Sequence, residues 1–390
     1  MTGRILGLTF VNMHRALVGA AWMYCDLLIR NGYAAELIDL TKPGVTEELN
    51  RILYPETVEF CFAPQGVGSR LGNGDQTIWA QRRVPFLGLH GDNPCYNIFN
   101  HFSNTSYVAN LYLYESFADI HRRYIKSDQI VEVLPFQTGD AGPSPIPFRE
   151  RPIKLLYMKR GESVSECEEK LNSLAEPLHG GVWQQIKRAQ ASPNLLVCDL
   201  VQELFDQINL SREENFDLFW GCSHWMDMYL RRKRAADFVD WLKMQEGAVI
   251  IGGGWDFIDR TNIRAVFKES VDISNSLELY WQSRFICNTS PYGSDVLHER
   301  AALGLLNGSV VISDTNAWWN SHFSDIPAFK GFDWGRPLDD QLQPVLGMSL
   351  AEAEAQAPTG RERALKHFAG ADLIGKLFEC VGKVKARNAA

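Results

Sequence analysis

No apolar run of 18 residues occurs in the sequence, so no transmembrane helix is expected. No Cys-x-x-Cys pair is present, and His and Cys never gather at zinc-ligand spacing, so no structural metal is expected either. Asp-x-Asp, the usual metal signature of one large class of group-transfer enzymes, is also missing. Basic charge is scarce: 39 Lys and Arg stand against 47 Asp and Glu, a formal net charge of −8. A protein living on backbone phosphates would carry the opposite balance, which disfavours non-specific nucleic-acid binding. Met1 to Leu8 carries one basic residue, Arg4, with no long apolar stretch or small-residue cleavage site behind it. Export is therefore not expected, and the expected location is cytoplasmic. There is no internal repeat and no low-complexity tract.

What is present is globular. The 390 residues are 45% apolar, 22% charged and 11% aromatic, enough for two or three domains. Eight cysteines sit mostly in apolar surroundings, such as Cys198 and Cys287, and are expected as buried free thiols in a reducing compartment.

Short apolar runs alternate with amphipathic stretches, the pattern of α/β layers around a mostly parallel sheet. Strands are expected at 4–11, 35–40, 58–63, 85–90 and around 130–136, with a helix over 20–31. Gly139-Asp-Ala-Gly-Pro-Ser-Pro-Ile-Pro packs three prolines and two glycines into a short stretch, a linker composition. The pattern then restarts with strands at 153–157, 248–251, 285–288 and 310–313, and helices fill 163–243. The expected architecture is two Rossmann-like domains facing each other across a cleft: residues 1–138, a hinge at 139–152, residues 153–360, and a helical segment at 361–390. Arg231-Arg-Lys-Arg, the one dense basic run, is expected on a solvated helix face.

Residues 288–314, NTSPYGSDVLHERAALGLLNGSVVISD, carry the most information. Ser294 or Asp295 is expected to start a helix, Asn307-Gly308 to stop it, and Val310 to Ser313 to form the strand it feeds. At 100° per residue, Leu297, Ala301, Ala302, Leu303, Leu305 and Leu306 cover nearly every azimuth, so the helix is expected to be buried. Its polar residues, His298, Glu299 and Arg300, lie together at the N-terminal end. Unpaired N–H groups at such an end suit a phosphate. A carboxylate one turn in, Glu299, suits two vicinal hydroxyl donors such as those of ribose, at about 1.5–3 kcal/mol per charged hydrogen bond. An acid placed there only to complement the helix dipole fits the sequence equally well.

Ser283-Arg-Phe-Ile-Cys-Asn288, Gly293, His298-Glu-Arg and Leu306-Asn-Gly-Ser-Val-Val-Ile-Ser-Asp314 follow one another as in the nucleotide-binding segment of GT-B glycosyltransferases. They most resemble the bacterial family that includes the CgeB-type spore-maturation proteins. Val249-Ile-Ile-Gly-Gly-Gly-Trp255 and Leu156-Tyr-Met-Lys-Arg-Gly161 are similar to further segments of that family. Gly91-Asp-Asn-Pro is similar to a turn in related sequences.

The resemblance implies a glycosyltransferase that uses a nucleotide-diphospho-sugar as co-substrate, with no other cofactor and no metal. Glu299 would hold the ribose, and Ser294, Asp295, His298 and Asn288 would lie around the nucleotide. Lys159 and Arg160 would neutralise the diphosphate, with Gly254 and Trp255 near the base. Asp92 or His14, each in a loop after a strand of the first half, would act as the general base toward the acceptor hydroxyl. The acceptor would be a glycan, a lipid-linked intermediate, a protein or a small molecule, and closure about 139–152 would exclude water. Many retaining members carry a second Glu eight residues before the nucleotide Glu. That position is Pro291 here, so the sugar-gripping role is not carried over and retention or inversion stays open. A sugar-nucleotide epimerase and a non-catalytic sugar-nucleotide-binding protein share the same expected architecture.

Overall fold

The computed structural model describes residues 3–10, 15–73, 76–103, 105–138, 142–271, 273–369 and 371–389. The chain divides into two compact units, Met1–Phe136 with Asp372–Ala390, and Gln137–Ala371.

In the first unit the elements run β1 (Arg4–Thr9), α1 (Arg15–Arg30), β2 (Ala35–Asp39), α2 (Val45–Ile52) and β3 (Val58–Pro64). A small ribbon of β4 (Gly72–Asn73) and β5 (Gln76–Thr77) follows, then α3 (Ile78–Arg82), β6 (Phe86–His90), β7 (Val108–Tyr112), α4 (Glu115–Tyr124) and β8 (Ile130–Val133). Six strands form a parallel sheet in the order β2-β1-β3-β6-β7-β8. Alternation along each strand feeds two cores. Ile5, Phe60, Phe62 and Leu87 face one side, whereas Leu6, Cys61 and Phe86 face the other with Trp79. All of β6 and β7 is buried, which is why such strands are nearly continuous apolar runs.

The first of those cores is closed from far along the sequence. Helix α14 (Leu373–Ala389) lays Leu373, Leu377, Val381 and Val384 on it, and its outer edge pairs Lys383 with Glu132 at 2.6 Å. The terminal stretch expected as one segment, 361–390, thus divides after Ala371 between the two units.

The second unit contains β9 (Ile153–Met158), α5 (Ser165–Asn172), α6 (Leu178–Ala191), α7 (Val197–Gln207), α8 (Phe216–Leu242), β10 (Ala248–Ile251) and β11 (Val266–Lys268). It continues with α9 (Ile273–Trp281), β12 (Ser283–Asn288), α10 (Glu299–Leu306), β13 (Val310–Asp314), α11 (Ala317–Phe323), β14 (Phe329–Phe332), α12 (Leu338–Leu346) and α13 (Leu350–Phe368). Its parallel sheet runs β11-β10-β9-β12-β13-β14. Counted within the unit this is the order 3-2-1-4-5-6, which reverses between β9 and β12. Open α/β sheets bind ligands outside the carboxyl ends of the strands at such a switch point.

The linker composition begins at 139–141, outside the described residues. The rest of that stretch is anchored on the second unit: Arg151 donates to the carbonyls of Ser283 (3.0 Å) and Gly308 (2.8 Å), and Phe148 enters the core.

Candidate functional site

Two strand ends and two helices meet at the switch point of the second sheet. Beyond β9 the chain reaches Lys159, and beyond β12 it reaches Thr289. The Tyr157 hydroxyl bonds to Thr289 Oγ1 at 2.8 Å, and Lys159 Nζ donates to the same oxygen at 3.3 Å. Burial, then the charges of Arg300 and Arg231, push the Lys159 ammonium well below its ordinary pKa, against the pull of Asp314 and Glu162. A cation so crowded gains more from an incoming anion than a solvated one would.

Arg300, in the first turn of α10, is 7% exposed and spans the same gap. Its guanidinium donates to the Met158 carbonyl and, at 3.4 Å, to that of Thr289, tying the ends of β9 and β12 together. His298 caps the helix, its Nδ1 accepting the Arg300 amide at 3.3 Å. Burial, with Arg300, Lys159 and Arg231 nearby, drives its pKa well below 6.5. The ring is therefore neutral at pH 7, and with Nδ1 accepting, Nε2 carries the proton as a donor.

The remaining cations come from α8, where the sequence was expected to show a solvated face. At 100° per residue Asp227, Arg231 and Arg234 share a sector of about 60°, in which Asp227 and Arg234 are buried and Arg231 is half-buried. Asp227 is 2% and Arg234 4% exposed, and Arg231 lies 4.0 Å from Asp227. Lys233, with 37% of its side chain exposed, fits the expectation and pairs with Asp237, whereas the Arg232 side chain is 13% exposed and pairs with Glu162 and Glu166. Spacing of i, i+4 and i+7 among Asp227, Arg231 and Arg234 was the available signal. Asp314, at the end of β13, balances the cluster while accepting from Ser290 N (2.8 Å) and Trp334 Nε1 (3.0 Å).

Helix α10 begins at Glu299, five residues later than the Ser294 start expected from sequence. The carbonyls that an earlier helix would need are taken. Asn316 Nδ2 holds those of Gly293 and Val296 at 3.1 and 2.7 Å, and the Trp318 amide holds that of Ser294 at 2.9 Å. Gly293 has φ 145°, which breaks helical continuity. Ser294 and Asp295 are therefore half-buried loop residues, and Glu299 is an exposed residue of the first turn rather than one turn in. The burial expected of the helix holds: Ala301, Ala302, Leu305 and Leu306 are enclosed, and α10 packs against β12, β13 and α13.

Other expected residues take different places. Asn288 is fully buried, its Nδ2 donating to Ser290 Oγ (3.1 Å) and Ser313 Oγ (3.0 Å), so it joins β12 to β13. Arg160 is exposed. Trp255 is 1% exposed and part of the core, with no face open to stack on a base. Its Nε1 donates to the Lys159 carbonyl at 2.9 Å. A Cβ on Gly254 would lie 2.3 Å from the Gly161 carbonyl oxygen, so the glycine lets the loops after β9 and β10 touch. Gly254 and Trp255 thus position the Lys159 loop.

In the first unit Asp92 follows β6 and accepts from Gln65 Nε2 at 2.8 Å. Asn100 donates to the Gln65 carbonyl at 2.8 Å, stapling the loops after β3 and β6. His14 lies outside the described residues. Behind Asp92 is a buried network that the sequence reading missed. Tyr112 OH lies 2.5 Å from His101 Nδ1 and 2.8 Å from His121 Nδ1, and His90 Nε2 lies 2.8 Å from Asn110 Oδ1. Burial depresses the pKa of His90 to about 4 and of His121 to about 3, with that of His101 also well below its usual value.

Among the described residues no group of three or more His, Cys, Asp or Glu is arranged to hold a metal ion, and no helix is long and apolar enough to cross a membrane. No protein-family model and no curated protein sequence matches the chain. Solved structures do. An alpha-glucosyltransferase in complex with UDP-glucose and DNA containing an abasic site shares 9% identity at a TM-score of 0.56, over 97% of this chain and 99% of that one. Sucrose-phosphate synthase from Thermosynechococcus elongatus shares 10% identity at 0.55, over 99% and 100%. A glycosyltransferase involved in avilamycin A biosynthesis shares 13% at 0.51, over 98% of each. Likeness over nearly the whole length, together with two six-stranded parallel sheets, makes the fold that of GT-B glycosyltransferases, two Rossmann-like domains in one chain.

Proposed function

We propose that this chain is a glycosyltransferase that moves a sugar from a nucleotide-diphospho-sugar to a hydroxyl-bearing acceptor without a metal ion. The observation that carries the reading is the crowding of Lys159, Arg231 and Arg300 with the α10 N-terminus at the switch point of the second sheet. Lys159 and Arg231 would meet the diphosphate with the α10 N–H groups and the His298 Nε2 proton, while Arg300 holds the strand ends in place. Glu299, exposed in the first turn, would accept the two ribose hydroxyls. Similarity of fold to enzymes whose structures hold UDP-glucose or UDP supports the same reading. The motifs at 283–314 favour a relationship to the CgeB-type family within that fold.

In the reaction the acceptor oxygen attacks the anomeric carbon. The bond from that carbon to the diphosphate oxygen breaks, and the nucleoside diphosphate leaves with the electron pair. Fixed cations stabilise the charge developing on the leaving group. The acceptor proton passes to Asp92 or His14 if configuration inverts, Asp92 being held by Gln65. The acceptor is a glycan, a lipid-linked intermediate, a protein or a small molecule, met in the cytoplasm.

Calorimetry with UDP, dTDP and GDP and their sugars tests this reading. At least one nucleoside diphosphate should bind, and Glu299→Ala should raise the donor Kd about tenfold or more while the melting temperature holds. Absence of binding across the panel would remove the function, and unchanged affinity in Glu299→Ala would remove that residue from the site.

A further inference from the structure

Arg234 is more enclosed than any other cation of the cluster, and among the described residues it has no polar partner. It is 4% exposed, yet it makes no hydrogen bond or ion pair, and Nε and Nη2 are buried with nothing to donate to. Its guanidinium carbon lies 3.7 Å from the centroid of the Tyr292 ring and 5.5 Å from that of Trp334, and the Tyr292 hydroxyl is itself buried without a partner. The carboxylates whose charge reaches Arg234 are engaged elsewhere: Asp314 with Ser290 and Trp334, Asp227 with Arg231, and Asp333 with the Gly335 amide at 2.9 Å. An unpaired buried guanidinium is costly, and a ligand anion removes that cost.

A diphosphate is already provided for by Lys159, Arg231 and the α10 N-terminus. Arg234 lies one turn further along α8, among the loops that follow β12 and β14. Its Nε and Nη2 form one edge of a planar fork, the shape that takes a carboxylate through two parallel hydrogen bonds. We propose that Arg234, with the Tyr292 hydroxyl, binds a carboxylate on the sugar of the donor, so that the substrate class is a nucleotide-diphospho-uronic acid. The inference rests on the second unit being the donor site.

Calorimetry on matched pairs, UDP-glucose with UDP-glucuronate and GDP-mannose with GDP-mannuronate, tests it on the full chain. In one pair the uronate should bind about tenfold or more tightly than the neutral sugar. Arg234→Met should reduce that ratio to about one while the free nucleoside diphosphate binds as before. Tyr292→Phe, which keeps the ring, should lower the ratio by a smaller factor. Equal binding of neutral and acidic donors by the unmodified chain overturns the proposal without any variant having to fold. So does an Arg234→Met loss that is as large for UDP or GDP alone, since the arginine would then grip the diphosphate. If no nucleotide binds at all, the donor-site reading fails and this inference falls with it.

Discussion

The carboxyl edges of the two sheets are built from opposite chemistries. In the second unit the loops after β9 and β12 and the inward face of α8 bring Lys159, Arg231, Arg234 and Arg300 together around Asp314. In the first unit the equivalent edge holds Gln65, Asp92 and Asn100 over three histidines that burial keeps uncharged. One edge stores positive charge and the other stores neutral hydrogen-bonding groups around one carboxylate. The proposed transfer would use the cationic edge for the diphosphate and the carboxylate for the acceptor proton, and a carboxylate without a lysine beside it is the stronger proton acceptor.

Several substitutions can break or sharpen that division. The largest effect is expected at Asp92→Asn if the reaction inverts with Asp92 rather than His14 as base: kcat should fall by about 10²–10⁴-fold with donor Kd unchanged, as measured by initial rates and calorimetry. A parallel loss of donor affinity would erase the distinction between the edges. Lys159→Met should act the other way, weakening the nucleoside diphosphate by about 10- to 100-fold, the range for a hydrogen bond between charged groups. Wild-type affinity in that variant would show that the lysine serves only Thr289.

A smaller effect, graded with pH, belongs to the first unit. Its histidines have folded pKa values below the unfolded value of about 6.5, so only the unfolded chain takes up protons as pH falls from there. Stability from His90 and His121 is present above pH ~6.5 and is lost toward pH 4, at about 1.4 kcal/mol per pH unit for each. Hydrogen exchange at pH 7 and pH 4.5 should show β6 and β7 opening on acidification, and His101→Phe, which removes one of the three depressed histidines, should weaken the response. An unchanged first unit at pH 4.5 would contradict this account of the network.

Much of the sheet framework was legible because strands buried on both faces are uninterrupted apolar runs. β10 matches its expected limits, and β12 and β13 do so to within two residues. β7 escaped notice because Asn110 interrupts its run, and that residue is buried to bind His90 and Gln129, a requirement set by distant partners. The late start of α10 has the same origin, since Asn316 and Trp318 claim the carbonyls of its would-be first turn. Glu299 and Lys159 were singled out by motif. Arg234 was misplaced because a dense basic run has more than one face, and only packing decides which one is buried. The return of α14 to the first unit depends on an apolar stripe matching a surface more than 200 residues away, which no local pattern encodes.

Hydrogen exchange with and without a nucleoside diphosphate tests the central assignment most directly. UDP, dTDP or GDP should slow exchange at 156–162, 228–236 and 288–301 in the second unit while leaving the loops after β3 and β6 unchanged. Protection confined to the first unit, or nowhere for all three nucleotides, would contradict the placement of the donor on the cationic edge.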